Sequence, residues 1–378
     1  MDVDLQGIAR NFVEEEVLSH AARWERTGTF PSELHQRAGS LGLTLLLLGA
    51  EHGGPEADAV VAGRVAEELG AGSFSFALPL LAHNYVAWSI ADFASESIKR
   101  DYLPKMLSGE LTGIFSLTEP QSGSDATALQ TFAERTADGW VISGEKSWVS
   151  LANDADFFAI YAQTERGAGA KGIAQFLVPG NSAGLQRLPA YEMLGGNAVG
   201  MGGLDFKQVV VPESHMLAPP GHGLRYALTA IDWARTYVAA ICCGMLRQSL
   251  EEAIAYVAQR KMFGQTTAQF QAVQFVLADA ATDLEAARHL TDAALRALSA
   301  EQADASVMAA HAKKFATRCT LERIGQCMQM MGANGMKDEH SLGRHFVASK
   351  MAQYLDGATE IQNVVISRAL LRPHGVTM

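Results

Sequence analysis

The segment Gln353–Gln362, Gln-Tyr-Leu-Asp-Gly-Ala-Thr-Glu-Ile-Gln, places one carboxylate, Asp356, directly before a glycine. Helix-compatible sequence lies on both sides, through Arg344–Tyr354 and Glu360–Leu371. A carboxylate in a break between two buried helices is held firmly and faces a cavity, as a general base requires. Asp-Gly is also a common turn dipeptide, so this segment alone leaves both interpretations open.

Two further segments carry groups that suit a planar ring or an anion. The loop Leu117–Asp125 is rich in small hydroxyl residues, and Thr118, Gly123 and Ser124 offer hydroxyls and backbone N–H groups. A plain loop with capping residues would look similar. Trp148 and Ser150 alternate along one strand, which predicts that both point to the same face. An indole beside a hydroxyl suits packing against a flavin ring, although tryptophan on a buried face is more often core.

The segment Arg260–Gly264, Arg-Lys-Met-Phe-Gly, has two interpretations. Basic residues in a last helical turn followed by glycine are an ordinary helix end. An arginine fork also suits a diphosphate. The chain has no Gly-x-Gly-x-x-Gly after a strand, no Walker sequence and no Gly-x-Ser-x-Gly elbow, so Rossmann, P-loop and hydrolase sites are not indicated. Its eleven histidines are scattered without metal-ligand spacing, so no metal is predicted.

The elements that must position these residues form three blocks, predicted as domains 1–110, 111–220 and 221–378. The first is helical in pattern. The second has the period of strands, with a hairpin signal at Asp138-Gly139. Helical crossovers are absent there, so the sheet should be mainly antiparallel, as a small barrel or a pair of sheets.

Helical periodicity returns in the third block and predicts a bundle of four long segments. These are Leu224–Gln259, Thr267–Leu298, Ala303–Met331 and Leu342–Leu371. The fold class is therefore α+β, with a helical block, a β block and a four-helix bundle in sequence.

Composition narrows the function classes. The net charge is −11 and no basic cluster stands out, which argues against a nucleic-acid partner. Leu43–Ala50 is apolar but too short to span a membrane, and the first residues lack a secretory signal. The four cysteines fit neither a disulfide framework nor a zinc site. A reducing, cytoplasmic location is therefore expected.

Four segments, in order, resemble motifs of the acyl-CoA dehydrogenase family. Leu117–Asp125 is similar to the family's flavin loop, and Ile142–Ser150 to its Gly-x-Lys-x-Trp-Ile-Thr strand. Arg260–Gly264 with Phe270–Ala272 resembles its Arg-Lys-x-Phe-Gly…Gln segment. Gly357–Gln362 resembles the end of its Tyr-Glu-Gly-Thr-x-Glu-Ile-Gln signature. The family also has the domain order α, β, α.

The resemblance implies a non-covalent FAD between the β domain and the bundle, in a homodimer or, more often in the family, a homotetramer. Around the isoalloxazine ring it implies Phe115, Leu117, Thr118, Gly123, Ser124, Trp148 and Ser150. At the diphosphate and adenosine of a neighbouring subunit's FAD it implies Arg260, Phe263, Gln271, Gln329 and Gly332. Ala358, Thr359 and Glu360 are implied to lie against the cofactor, and Ser124, Asp232, Arg235 and Gly357 to contact substrate.

The implied reaction is the α,β-dehydrogenation of an acyl thioester, most often an acyl-CoA. Asp356 would remove the α-proton while the β-hydride passes to flavin N5. Electrons would then pass to an electron-transfer flavoprotein. The cofactor performs the redox step, and the protein holds base, carbon and flavin in line.

The sequence departs from the family at the base itself. Asp356 stands where the family usually has glutamate, which retracts the carboxylate by about 1.5 Å. Misplacement of that size can cost on the order of 100-fold in rate, unless a cyclic or α-branched acyl group brings its α-carbon closer. Some relatives place the base just before the arginine of the substrate-side helix, but Ala234 occupies that position. Leu355 and Ala358 also replace the usual tyrosine and threonine.

These departures keep three alternatives open. The nitroalkane oxidase branch of the superfamily uses an aspartate base and O₂. Other relatives act on acyl groups held by carrier proteins in biosynthetic pathways. From a different class, the chain could be a flavin-binding but catalytically silent homologue.

Overall fold

The structure, a computed structural model, describes residues 3–376, and its N-terminal part is helical. The first helix is capped by Asp4, the residue before it, whose carboxylate accepts a hydrogen bond from the Gly7 N–H. A π-helical turn, Val13–Val17, joins the first two helices. The helices are α1 Leu5–Phe12, α2 Leu18–Thr27, α3 Ser32–Ser40, α4 Ala59–Gly72, α5 Phe74–Phe93 and α6 Glu96–Leu107.

Helix α5 is buried along most of its length. Its side chains are apolar around the whole circumference, which is typical of a helix buried on all sides. It contacts α4, the C-terminal bundle and the first strand of the sheet. Its N-terminus is fixed by Ser73, whose hydroxyl accepts the Phe76 N–H. Because α5 touches all three parts of the fold, it can form a wall of any cavity between them.

The β block is one sheet of eight strands within the described residues. The strand order is β6-β7-β3-β2-β4-β5-β8, with β1 paired to β4. Pairing is antiparallel except for β4 with β1 and β2, so the prediction of a mainly antiparallel sheet is confirmed. The strands are β1 Gly113–Ser116, β2 Phe132–Thr136, β3 Gly139–Val149, β4 Phe157–Gln163, β5 Ile173–Pro179, β6 Leu185–Arg187, β7 Gly202–Val211 and β8 Met216–Ala218.

The C-terminal part is a helical bundle, in which the long helices α7 and α9 pack together. Thr320 of α9 donates a hydrogen bond to the Cys242 carbonyl of α7 at 3.2 Å. The fourth predicted segment is divided into two helices by the break at Asp356-Gly357. The helices are α7 Gly223–Gln259, α8 Gln271–Ser299, α9 Ala305–Met331, α10 Leu342–Ala352 and α11 Thr359–Leu371.

The predicted α+β fold class is confirmed by this order of helices, antiparallel sheet and helices. The element type changes between Leu107 and Gly113 and again between Ala218 and Gly223. The predicted divisions near 110 and 220 fall in these two linkers, while residues 1–2 and 377–378 lie outside the described part. The four cysteines are buried and free. No helix in residues 3–376 is long and apolar enough to cross a membrane.

Candidate active site

A cavity of about 540 Å³ lies where α5, the sheet and the bundle meet. Volumes of this order are typical of small-molecule and cofactor sites. A depression of about 660 Å³ lies among the N-terminal helices but shares no lining residue with it. Helix α5 contributes Leu78, Leu81, Ala82 and Tyr85; the β block contributes Phe115–Thr118, Gly123, Ser124, Ser147, Trp148, Ser150 and Met201; the bundle contributes Ile231, Val238 and Tyr354–Ala358.

Asp356 lies on the bundle side of this cavity, in the turn between α10 and α11. Its φ is +48° and that of Gly357 is +87°, so two successive residues have left-handed backbone and the helix cannot continue. Aspartate tolerates that region better than most residues. A Cβ on Gly357 would lie 3.1 Å from Gln362 Nε2 and 3.3 Å from Arg235 Nη2, so glycine is favoured there by close approach as well as by its positive φ.

Three side chains from three helices hold the backbone of this turn. Arg235 of α7 donates from Nε to the Asp356 carbonyl at 3.1 Å. Lys313 of α9 donates from Nζ to the Gly357 carbonyl at 2.6 Å, and Gln362 of α11 donates to the same carbonyl at 2.7 Å. The turn is therefore fixed by buried donors, as a pre-organised catalytic group needs.

Burial raises the pKa of Asp356 above the usual aspartate range, and the charges of Lys313 and Arg235 partly oppose this shift. A raised pKa makes a carboxylate a stronger base, and perturbed groups in clefts are candidates for catalytic roles. The turn interpretation of Asp-Gly is therefore compatible with the base interpretation, because the turn places Asp356 on the wall of the cavity.

Asp232 and Arg235, implied as substrate-binding residues, lie behind this wall rather than on it. Arg235 is buried, and its Nη1 is 2.6 Å from Asp232 Oδ1. Asp232 also accepts a hydrogen bond from the Ser306 hydroxyl at 3.0 Å. Neither residue is among those that line the cavity. Arg235 instead contacts the backbone of Asp356, which gives it a positioning role.

The hydroxyl-rich loop on the opposite side is fixed by a buried ion pair. Lys146 Nζ of β3 is 2.8 Å from Glu119 Oε1 and 3.0 Å from the Leu117 carbonyl. Glu119 also accepts the backbone N–H groups of Gln130 at 2.7 Å and Thr131 at 3.0 Å. Burial lowers the pKa of Lys146, and Glu119 opposes that shift. These two residues therefore hold the loop rather than contact a ligand.

Trp148 and Ser150 both line the cavity, but regular alternation is not what brings them there. The pairing of β3 with β7 shifts register between Lys146 and Val149, and Trp148 has a φ of +58°. This bulge re-aims the indole, which is 59% exposed and packs 4.8 Å from the Tyr191 ring. The alternative that Trp148 is a core residue is therefore wrong.

Of the other residues implied for a cofactor, six line the same cavity, and Thr359 and Glu360 begin α11 just beyond its wall. The six are Phe115, Leu117, Thr118, Gly123, Ser124 and Ala358. The remaining five lie on the surface of the bundle, away from the cavity. Arg260, Phe263 and Gln271 are exposed around the junction of α7 and α8, and Gln329 and Gly332 line a separate depression at the end of α9.

Sequence reasoning missed Lys313, Gln362 and the α5 wall. Lys313 interrupts a stripe of small buried residues on α9 that includes Ala309, Ala312 and Ala316. A lysine within such a stripe is the signal that would have marked it. The α5 wall gave no such signal, because a helix that is apolar all round does not reveal which face borders a cavity.

The fold and the site define a class before any relative is considered. A carboxylate of raised pKa faces a hydroxyl-rich sheet edge across a cavity enclosed by two helical blocks. The three parts match three consecutive family models: the acyl-CoA dehydrogenase N-terminal domain over residues 3–110, the middle domain over 114–209 and the C-terminal domain over 221–371. The protein is an oxidoreductase of the acyl-CoA dehydrogenase type. The chain belongs to the acyl-CoA dehydrogenase family, and the resemblance is confirmed.

Known proteins are similar along almost the whole chain. The probable acyl-CoA dehydrogenase YngJ of Bacillus subtilis is 32% identical over 369 residues, which cover 97% of this chain and 96% of YngJ. The structure of butyryl-CoA dehydrogenase from Megasphaera elsdenii is 29% identical with a TM-score of 0.93, and covers 98% of this chain and 100% of that one. PigA, solved with FAD and proline, is 26% identical with a TM-score of 0.91, covering 97% and 96%.

Proposed function

We propose that this protein catalyses the FAD-dependent α,β-dehydrogenation of an acyl thioester, with an acyl-CoA as the first substrate class and Asp356 as the base. The observation that carries the proposal is the partly buried, left-handed Asp356 turn on the wall of a shared cavity. Membership of the family supports the reaction type. The identity of the base rests on the geometry of this chain.

The residues on the β side of the cavity fit a flavin ring. The hydroxyl of Ser116 is buried in the wall and has no hydrogen-bond partner among the described residues. A Cβ at Gly123 would meet no atom within 4 Å, so a ring can approach the backbone there. The exposed indole of Trp148 offers an aromatic face beside the hydroxyl of Ser150.

In this proposal the flavin ring is held by the loop and strand residues on that side, with Ala358, Thr359 and Glu360 beside it. The exposed set at Arg260, Phe263 and Gln271, with Gln329 and Gly332, meets the diphosphate and adenosine of FAD bound to a second copy of the chain. Phe263 is 90% exposed, and Met262 and Phe275, close to it along the chain, are 43% and 62% exposed; grouped apolar side chains at the surface mark an interaction site, which supports an assembled homodimer or homotetramer. When bound, FAD supplies the acceptor for the β-hydride.

Asp356 removes the proton from the carbon next to the thioester carbonyl. Its raised pKa reduces the difference in pKa between the carboxyl group and the weakly acidic C–H group, which favours proton transfer. Arg235, Lys313 and Gln362 hold the backbone of the turn, so the carboxylate needs little reorganisation to react. Gly357, Ser124 and the neighbouring wall residues contact the substrate, while Asp232 acts through Arg235.

The acyl group lies against α5 and α7 in this proposal. Leu78, Leu81 and Ala82 of α5 line the cavity together with Ile231 and Val238 of α7, and this apolar lining favours an apolar acyl chain and excludes water. The aspartate base further favours a substrate whose α-carbon sits close to the wall, such as a cyclic or α-branched acyl group. An electron-transfer flavoprotein in the cytoplasm is the proposed electron acceptor.

The experiment is anaerobic bleaching of the bound flavin. A panel of straight, branched and cyclic acyl-CoAs should contain at least one thioester that reduces the flavin of the wild-type protein. Asp356→Asn should bind FAD normally but lose at least about 100-fold in reduction rate, because general-base catalysis contributes that much. Asp138→Asn is the matched control, because it alters an exposed Asp-Gly turn far from the cavity.

The same panel tests the alternatives. A second candidate is an acyl group held on a carrier protein, which the departures from the family at Asp356, Leu355 and Ala358 leave open. Bleaching by a carrier-bound acyl group but by no acyl-CoA would select that candidate. Bleaching by a nitroalkane alone would select nitroalkane oxidation with O₂. A protein that binds FAD but is bleached by none of them would be the catalytically silent homologue.

A further inference from the structure

A lysine is buried directly behind the proposed base. Lys313 of α9 is 1% exposed, does not line the cavity, and donates from Nζ to the Gly357 carbonyl at 2.6 Å. Lysines are almost never fully buried unless paired, because the ammonium loses its hydration. Within residues 3–376, no carboxylate lies within 4.0 Å of this ammonium. Among these residues, Lys313 therefore makes no direct salt bridge that would neutralise its charge.

The charged groups around Lys313 lie on α7, on α11 and in the turn before α11. The carboxylates of Asp356, in that turn, and of Glu360, on α11, favour its protonated form, while Arg235 on α7 opposes it; the Cys242 thiol on α7 is neutral, because burial raises its pKa. Burial outweighs these and lowers the pKa of Lys313 to about 8. Lys313 is therefore still mostly protonated at neutral pH, and the carboxylate of Asp356 is the charge that favours its protonated form most.

The same cation acts on the pKa of Asp356, which its charge lowers against the effect of burial. The charges near Asp356 are Lys313 and Arg235, and the hydroxyl of Tyr85 on α5 lies close enough to sense its carboxylate. The guanidinium of Arg235 is already paired with Asp232 at 2.6 Å, so part of its charge is neutralised. Lys313 is the cation whose charge remains to favour an ionised Asp356.

We propose that Lys313 is the positioning residue of the base: it holds the Gly357 carbonyl that shapes the turn and supplies a positive charge that favours ionisation of Asp356 in its partly buried turn. This inference rests on the proposed function of Asp356. Lys313 itself touches neither cavity nor substrate, so it acts through Asp356 alone. Because Gln362 donates to the same carbonyl at 2.7 Å, loss of Lys313 leaves that oxygen with one donor and the turn with its shape.

Two substitutions separate the hydrogen bond from the charge. Lys313→Met removes both the N–H donor and the positive charge. Lys313→Gln keeps an N–H donor and removes the charge. Lys314→Met is the matched control, because Lys314 is the next residue of the same helix and is partly exposed. Circular dichroism shows whether each variant is folded, and FAD content shows whether it has bound the cofactor.

The readout is the pH dependence of anaerobic flavin reduction by the best thioester of the panel. Lys313→Met should move the acid limb of the profile up by about one pH unit, because an opposite charge near a carboxylate shifts its pKa by about that much. Its maximal rate should fall by roughly tenfold, because the turn is less firmly held. Lys313→Gln should recover most of the rate at high pH but keep the shifted limb. Lys314→Met should match the wild type.

If the Lys313→Met protein retains FAD and the acid limb of its pH profile is that of the wild type, the inference is overturned. If that variant does not retain flavin, Lys313→Gln decides alone, and an unshifted limb overturns it equally. Asp356→Asn, measured in parallel, separates this inference from the proposed function. If Asp356→Asn keeps the wild-type profile, the base assignment itself fails. If it is inactive while both Lys313 variants behave as wild type, Asp356 is the base and Lys313 does not position it.

Discussion

Replacing Lys146 by methionine leaves the carboxylate of Glu119 buried without its counter-charge. In the folded protein Lys146 Nζ is 2.8 Å from Glu119 and 3.0 Å from the Leu117 carbonyl, and both ionic side chains are inaccessible to solvent. Glu119 would keep its bonds to the Gln130 and Thr131 amides, but these do not carry a full charge. The loop that forms one wall of the cavity would lose its anchor to β3.

The cost of the substitution follows from this geometry. Breaking a buried ion pair by removing one partner costs about 3–5 kcal/mol, because an uncompensated charge remains. Removing both charges, as in Lys146→Met with Glu119→Gln, should cost markedly less, because no buried charge is left. The two substitutions should therefore show a coupling energy of about 2 kcal/mol. Lys207→Met, at an exposed lysine 3.4 Å from Asp205, should change stability by less than about 1 kcal/mol.

The assay is unfolding by urea, followed by circular dichroism and by release of the flavin. Lys146→Met should lower the midpoint strongly and release flavin earlier than the rest of the protein unfolds, because the loop lies beside the cavity. The double variant should recover part of the midpoint. A loss below about 1 kcal/mol in the single variant, or a double variant less stable than the single one, would refute the reasoning.

Three further predictions concern the cavity and its base. The rate of flavin reduction should fall as the pH drops through the raised pKa of Asp356, at a pH above the ordinary aspartate value of about 3.9, and a rate that stays flat down to that ordinary value would contradict this. Gly357→Ala should lower the free energy of unfolding by roughly 1 kcal/mol and slow flavin reduction at least tenfold, because φ at this position is +87° and the added Cβ would crowd Gln362 and Arg235. Gly343→Ala is the control: its Cβ would meet no atom within 4 Å in α10, so it should not slow reduction. Tyr85→Phe should be neutral or raise the melting temperature, because the Tyr85 hydroxyl is buried without a partner among the described residues; a clear loss of stability would show that the hydroxyl has one.

Local patterns were enough to predict the elements. Helical periodicity predicted Leu224–Gln259, and the helix spans Gly223–Gln259. The Asp138-Gly139 dipeptide marked a hairpin, and β2 and β3 pair across it. The glycine after Asp356 predicted a break, and α10 and α11 are separated there. Each of these features depends on residues that are close in sequence.

The missing parts of the site depend on residues that are distant in sequence. Lys313 lies 44 positions before Gly357, whose carbonyl it contacts, and neither segment predicts the other. Alternation along β3 predicted that Trp148 and Ser150 share a face, but the bulge before Val149 is set by pairing with β7. The same holds for Arg235, whose place behind Asp356 depends on how α7 packs against the turn. Tertiary packing decides these positions, and a single sequence does not record it.

The most direct test of the central claim is exchange of the substrate α-proton with solvent. The best thioester is incubated anaerobically in D₂O with each protein, and deuterium at the α-carbon is followed by NMR. Wild-type protein and Asp138→Asn should both catalyse this exchange. Asp356→Asn should slow it by at least about 100-fold, as expected when a positioned general base is removed. Exchange at the wild-type rate in loaded Asp356→Asn would contradict the assignment of Asp356 as the base.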